Sequence, residues 1–143
     1  MRPLSVFVLL AAFGSVLVAD DPAPKKEKSV PDQLIDRVKA ASLQDKPFGL
    51  VVVLKVKKDK VEAMSAAATK ALAPSRAEKG CAGYAFQQNA EAATEFIIQE
   101  KWRDMKGLQD HFGTPHFKEL FATLGEVVEE PPQIRIVREV ADK

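Results

Sequence analysis

The chain is predicted to fold as an α+β sandwich, one antiparallel sheet with helices packed against one face. Three observations carry that prediction. A continuous β-branched run, GLVVVLKV, begins after Phe48; two strand-like runs, Tyr84 to Gln88 and Glu95 to Trp102, are joined by a short polar loop; and helical stripes stand on either side of that pair.

The first strand opens at Phe48, and its valine-rich composition fits a strand buried on both faces. Lys60 to Leu72 sets Val61, Met64, Ala68 and Leu72 on one side of a helix, small alanines allow close approach to a sheet, and Pro74 is read as the helix end. Gly80 and Gly83 punctuate the return into the hairpin, whose loop is 89–94. After Trp102, Asp104 opens a helical segment with Met105, Leu108 and Phe112 as its stripe, and His111 lies beside that stripe. Gly113 breaks the helix, Thr114 is the next N-cap and Pro115 the first helical residue. A second stripe follows in Phe117, Leu120, Phe121 and Leu124, with His116 in its first turn. Past Pro131 and Pro132, a last strand, Gln133 to Val140, alternates Ile134, Ile136 and Arg138 against Arg135, Val137 and Glu139. The order strand, helix, strand, strand, helix, strand is the split βαβ arrangement of a ferredoxin-like sandwich. Because helices cover one face while strand residues on both faces are apolar, two such sheets are expected to pair face to face.

The chain has 143 residues, enough for one domain with one modest core. Lys plus Arg number 21 against 20 Asp plus Glu, a net charge of +1 that gives no general field for nucleic acid. The local cluster Lys55, Lys57, Lys58 and Lys60 has no aromatic residue interleaved and reads as a solvated turn. Residues 1–19 carry Arg2 and then an apolar run from Val6 to Val18, short for a bilayer span, so they read as an export signal; the mature protein is expected to be periplasmic or secreted, without stable membrane insertion. A retained anchor is the other reading, since Leu17 is large for the third position before a cut after Ala19. Residues 20–47 form a linker, DDPAPKKEKS first, then a short helix from Pro31 to Ala41 with Leu34, Ile35 and Val38 as its apolar stripe. The domain proper is 48–140. Its sole cysteine, Cys81, excludes an internal disulfide and reads as buried in an apolar turn.

The combination of Gly80, Gly83 and Tyr84 in GCAGY, Trp102 at the end of EKW, and His111, Pro115 and His116 in HFGTPHF resembles the antibiotic biosynthesis monooxygenase (ABM) domain family, and within it the quinol monooxygenase-like proteins. The resemblance implies a dimeric α/β barrel and oxidation of a quinol or phenolic aromatic substrate by molecular oxygen without a cofactor. The haem-degrading branch of the superfamily uses an asparagine on the first strand, and this chain has none there.

The residues themselves are compatible with that chemistry. The two histidines are five apart with Gly113 and Pro115 between them, which is not a metal-ligand spacing, and neither a dinucleotide fingerprint nor a phosphate loop is present. No metal and no cofactor is therefore expected. Tyr84, Phe86, Trp102, Phe112 and Phe117 supply an aromatic lining for a small flat substrate, and His111 and His116 titrate near neutral pH. On this reading His111 is the general base, Trp102 a stacking wall, Tyr84 a hydrogen-bonding partner and His116 a secondary proton acceptor. Phe86, Phe112 and Phe117 line the substrate, and Arg135, if it faces inward, steadies an oxyanion. Each also has a plainer reading: Trp102, Tyr84 and the phenylalanines as core, His116 as a surface residue of a helix start. The rival function is a non-catalytic dimeric small-molecule binding or stress-response module of the same fold.

Overall fold

The structure, a computed structural model, describes residues 28–140. The expected export signal lies outside the described residues. Among those described, no helix is long and apolar enough to cross a membrane.

Helix α1 spans Val30–Ala40. Ser29 caps it by accepting from the Asp32 amide at 3.3 Å, and Leu34, Ile35 and Val38 are its buried stripe. Ser42 ends it in the left-handed region (φ 56°), while the amides of Ser42 and Leu43 return to the carbonyls of Lys39 and Val38 at 2.9 and 3.2 Å. Strand β1, Phe48–Lys55, then leads through a 3-10 turn, Lys58–Lys60, into α2, Val61–Arg76. Strands β2, Cys81–Gln88, and β3, Glu95–Trp102, form the hairpin. Helices α3, Met105–Gly113, and α4, Pro115–Val127, follow, and β4, Gln133–Val137, closes the sheet.

The predicted architecture holds: a four-stranded sheet in the order β2-β3-β1-β4, each neighbouring pair antiparallel, with the helices on one face. The caps also fall where the residues placed them, Asp104 accepting from the Gly107 amide and Thr114 from the Phe117 amide. Three boundaries differ. Strand β2 begins at Cys81, three residues before the expected Tyr84, because Cys81 already pairs with Trp102; Cys81 is buried as expected but lies in the strand and not in the turn. Pro74 sits inside α2, which runs on to Arg76 because the missing N–H falls in its last turn and the Ala77 amide closes that turn on Ala73 and Pro74. Strand β4 stops at Val137, three residues short of the expected Val140, since β1 offers it partners only from Gly49 to Val53.

Register sorts the side chains by face. Leu50 stands opposite Glu100, and Glu100 opposite Tyr84; Val52, Ile98 and Phe86 form the next row, and Phe48, Trp102 and Cys81 the end row. This is the helix face, and Leu54 and Val56 of the β1 segment are fully buried against Met64 of α2 and Leu108 of α3 in one core. Removing each such side chain from water is worth roughly 1.5–3 kcal/mol. The other face carries Val51, Val53, Ala85 and Ile97, half-buried in the single chain, with Val137 exposed and Lys101, Gln99 and Arg135 around them.

One close approach holds the turn between α2 and β2 against α3. A Cβ on Gly80 would lie 2.4 Å from the Gly107 Cα, and one on Gly107 would lie 2.8 Å from the Gly80 Cα. Only glycine at both positions lets these backbones touch, and the contact brings Glu78, two residues before Gly80, to the end of α3.

Candidate functional site

Between the sheet and the helices lies a cavity of about 70 Å³. Its floor is sheet, Leu50 and Val52 of β1, Ile98 and Glu100 of β3 and Tyr84 of β2; its walls are α1 on one side and α3 and α4 on the other. Phe112 and Phe117 from the second wall stand 4.9 Å apart, centroid to centroid, and Phe117 stacks on Phe121 at the mouth. The lining residues are apolar apart from Tyr84 and Glu100, and Glu100 is the one that carries a carboxyl group.

Glu100 points into this space because β3 alternates. Phe96, Ile98, Glu100 and Trp102 share the inward face, so a charged side chain occupies a core position. It is 8% exposed, and the Trp102 indole Nε1 donates to its Oε2 at 2.8 Å. Burial pushes the Glu100 carboxyl up to about 7; the indole donor opposes the shift and the nearby charge of Glu78 adds to it. The group therefore exchanges its proton in the neutral range. Tyr84 is pushed upward too, by burial first and then by the charges of Glu100 and Glu78, so its hydroxyl stays protonated and can donate.

Behind the cavity wall is a second polar group. His111 is 2% exposed, with the Trp102 ring 4.8 Å away on one side and the Phe117 ring edge-on at 5.0 Å. Its Nδ1 lies 2.6 Å from Glu78 Oε1, and the same oxygen lies 2.6 Å from His116 Nε2. One oxygen this close to two ring nitrogens accepts from both, which leaves the His111 Nε2 lone pair free. Burial lowers the His111 pKa, against the pull of Glu78, and so favours the neutral ring. The ligand atoms of Glu78, His111 and His116 all fall within 4.8 Å of one another. A zinc-class ion with bonds of about 2.1 Å holds its ligands on the order of 3.4 Å apart. These contacts would therefore have to open to admit one; as built, the three side chains satisfy each other.

Set against the expected roles, the geometry brings Tyr84, Phe112 and Phe117 to the cavity and gathers Trp102, His111 and His116 behind it. Trp102 is fully buried and its ring meets His111 directly, so no ligand fits between the two and Trp102 is not a stacking wall. His111 does not line the cavity, because its Nδ1 is held by Glu78 and Phe117 stands in front of it; the ionisable group that does line it is Glu100. Phe86 packs edge-to-face on Phe96 at 6.3 Å, away from the lining. Arg135 is opposite Val51 on the uncovered face, exposed, and has no access to the cavity. Glu100 and Glu78 were the residues that sequence reasoning missed. Period-two alternation through β3 would have flagged Glu100 as an acid among inward apolar residues; Glu78 sits in a turn, where no local pattern marks it.

Comparison with known proteins agrees with this architecture. The antibiotic biosynthesis monooxygenase family pattern matches residues 47–123. The chain is 29% identical over 137 residues to the Synechocystis protein sll1783, covering 96% of this chain and 84% of that one. It is 26% identical over 91 residues to "Putative monooxygenase Rv0793" of Mycobacterium tuberculosis, covering 64% of this chain and 89% of the relative. The solved structure of Rv0793 superposes with a TM-score of 0.63 at 25% identity, covering 68% of this chain and 98% of that one. PA3566 from Pseudomonas aeruginosa gives a TM-score of 0.63 at 27% identity, over 67% of this chain and 96% of its own. With its fold, its cavity and a matched segment spanning more than half its length, the chain belongs to the antibiotic biosynthesis monooxygenase family.

Proposed function

We propose that the chain is a cofactor-independent monooxygenase that oxidises a small phenol or quinol with molecular oxygen in the cavity between sheet and helices. The observation that carries the reading is Glu100, a single carboxyl in an apolar space, with its pKa raised to about 7. A proton acceptor of that pKa is matched to neutral operation. It takes the hydroxyl proton of the substrate, Tyr84 donates to the resulting oxyanion, and the phenolate passes an electron to oxygen. The radical pair then joins at a ring carbon, and loss of water from the hydroperoxide leaves a carbonyl. One O₂ is consumed per ring, one of its atoms ending in the quinone and the other in water, and all four electrons come from the substrate. Trp102 and His111 act behind the acid, the indole by its bond to Glu100 and the imidazole by fixing the indole.

The rival reading, a binding module without turnover, draws on the direct Trp102–His111 contact, which leaves two of the expected catalytic groups out of a ligand's reach. Oxygen uptake with a panel of chemically reduced quinones separates the two. Uptake by the wild-type protein is expected to fall about 100-fold or more in Glu100→Gln. Equal rates above buffer in both remove Glu100 as the base, and no uptake above buffer leaves only the binding module.

The working unit is proposed to be a homodimer closed over the uncovered sheet face, where Val51, Val53, Ala85, Ile97 and Val137 form an apolar strip. Sedimentation is expected to give twice the chain mass, and Val53→Lys to give the single chain. A wild-type protein that sediments as one chain rules the dimer out.

A further inference from the structure

The cavity has one wall that the family pattern does not contain. Helix α1 ends before residue 47, where the matched segment begins, yet Val30, Pro31 and Leu34 of α1 face Phe117, Phe121 and Leu124 of α4 across the opening. The space between them, about 70 Å³, is small. An apolar cavity that accepts a benzene ring measures about 150 Å³. An aromatic ring therefore enters only when a wall gives way.

The walls differ in what holds them. The floor is part of a hydrogen-bonded sheet, and α4 packs on α2 and is joined to α3 through the caps at Thr114. Helix α1 touches α3 and the edge strand β4, and the chain just after it is tied to α3 by one backbone bond, from the Met105 amide to the Gln44 carbonyl at 2.9 Å. Its apolar grip is Leu34, Ile35 and Val38, and its polar latch is Arg37, whose Nη2 donates to the Ile134 carbonyl of edge strand β4 at 2.8 Å. The mouth beside it is already half open, with Val30 43% and Phe121 41% exposed.

We propose that α1 is the gate and size-setting wall of the ligand cavity in this chain, with Leu34 the side chain that limits the ring admitted and Arg37 the latch. This rests on the reading of the cavity as the substrate site. It does not depend on turnover.

Binding to the full chain, measured without oxygen, tests it with phenol and 2-naphthol as probes. Leu34→Ala is expected to raise 2-naphthol affinity relative to phenol by about 10-fold, the scale on which a pocket discriminates by a few carbons. Arg37→Ala is expected to speed association of both probes in stopped-flow while leaving their affinity ratio unchanged. Near-UV circular dichroism of the buried Trp102 reports whether each variant is folded. An unchanged ratio in folded Leu34→Ala overturns the proposal, as does an unchanged association rate in Arg37→Ala; the latter substitution is at an exposed side chain and decides the matter if Leu34→Ala does not fold. Probe binding that follows these shifts in a protein consuming no oxygen removes the monooxygenase reading and leaves the gate. Oxygen uptake with an unmoved size preference removes the gate alone. If neither probe binds the wild-type chain, both fall.

Discussion

Glu100→Gln is expected to flatten the dependence of stability on pH between about 5 and 8. In the folded chain burial holds the carboxyl at about 7, against 4.5 for a glutamate in water. The folded state therefore binds the proton more tightly than the unfolded one. Its contribution is fully present below 4.5 and is lost as pH rises through 7. A shift of that size corresponds to roughly 2–3 kcal/mol between pH 5 and pH 8. Glutamine keeps an oxygen for the Trp102 indole and carries no charge, so its variant lacks that slope. Whatever a buried amide costs by lacking a partner is the same at both pH values. The lowered pKa of His111 works the other way, favouring the folded state as pH rises, but it is common to both proteins and cancels in their difference. Urea unfolding at the two pH values measures the double difference. Parallel curves for the two proteins would mean that Glu100 is not held protonated in the cavity, and the proposed base would be lost with it.

Trp102→Ala is expected to have the largest effect on the fold. The side chain is fully buried at the junction of β3, α3 and the α2–β2 turn, and truncating a core tryptophan costs about 3–5 kcal/mol. That is a third or more of what holds many domains of this size together. Two further losses follow, since the Glu100 carboxyl loses the indole donor and His111 loses the ring it rests on. Trp102→Phe separates these effects. Phenylalanine fills most of the volume but offers no N–H, and the indole bond is what opposes the rise of the Glu100 pKa. The midpoint of the pH-dependent loss of stability is therefore expected to move above that of the wild-type protein, with a much smaller overall loss than in the alanine variant. A midpoint that stays put would show that the indole bond does not tune the acid.

The candidate site was only partly legible in the residues. Trp102, Tyr84, Phe112 and Phe117 follow from strand and stripe periodicity, and His111 and His116 are marked as titratable groups beside them. Their use did not follow. Trp102 packs on His111 and Phe86 on Phe96 instead of on a substrate, and Arg135 points away because β4 pairs with β1 in a register that sets it opposite Val51 on the uncovered side. Glu100 was hidden for a different reason. Acids in an EKW run are ordinarily solvent-facing, and only the alternation of the whole strand turns this one inward.

What the sequence by itself determined is whatever local patterns encode: the order of elements, the hairpin, the caps at Asp104 and Thr114, and the single helix-covered face. These depend on neighbours three or four positions away in helices and two in strands, and that information is carried in the run of residues. Tertiary structure alone decided that Glu78 reaches His111 and His116 across 33 and 38 positions, through the glycine-to-glycine contact of Gly80 with Gly107, and that α1 closes the cavity over Glu100. Such meetings are set by how packed layers fit together, and the burial they produce is what raises one carboxyl into the neutral range.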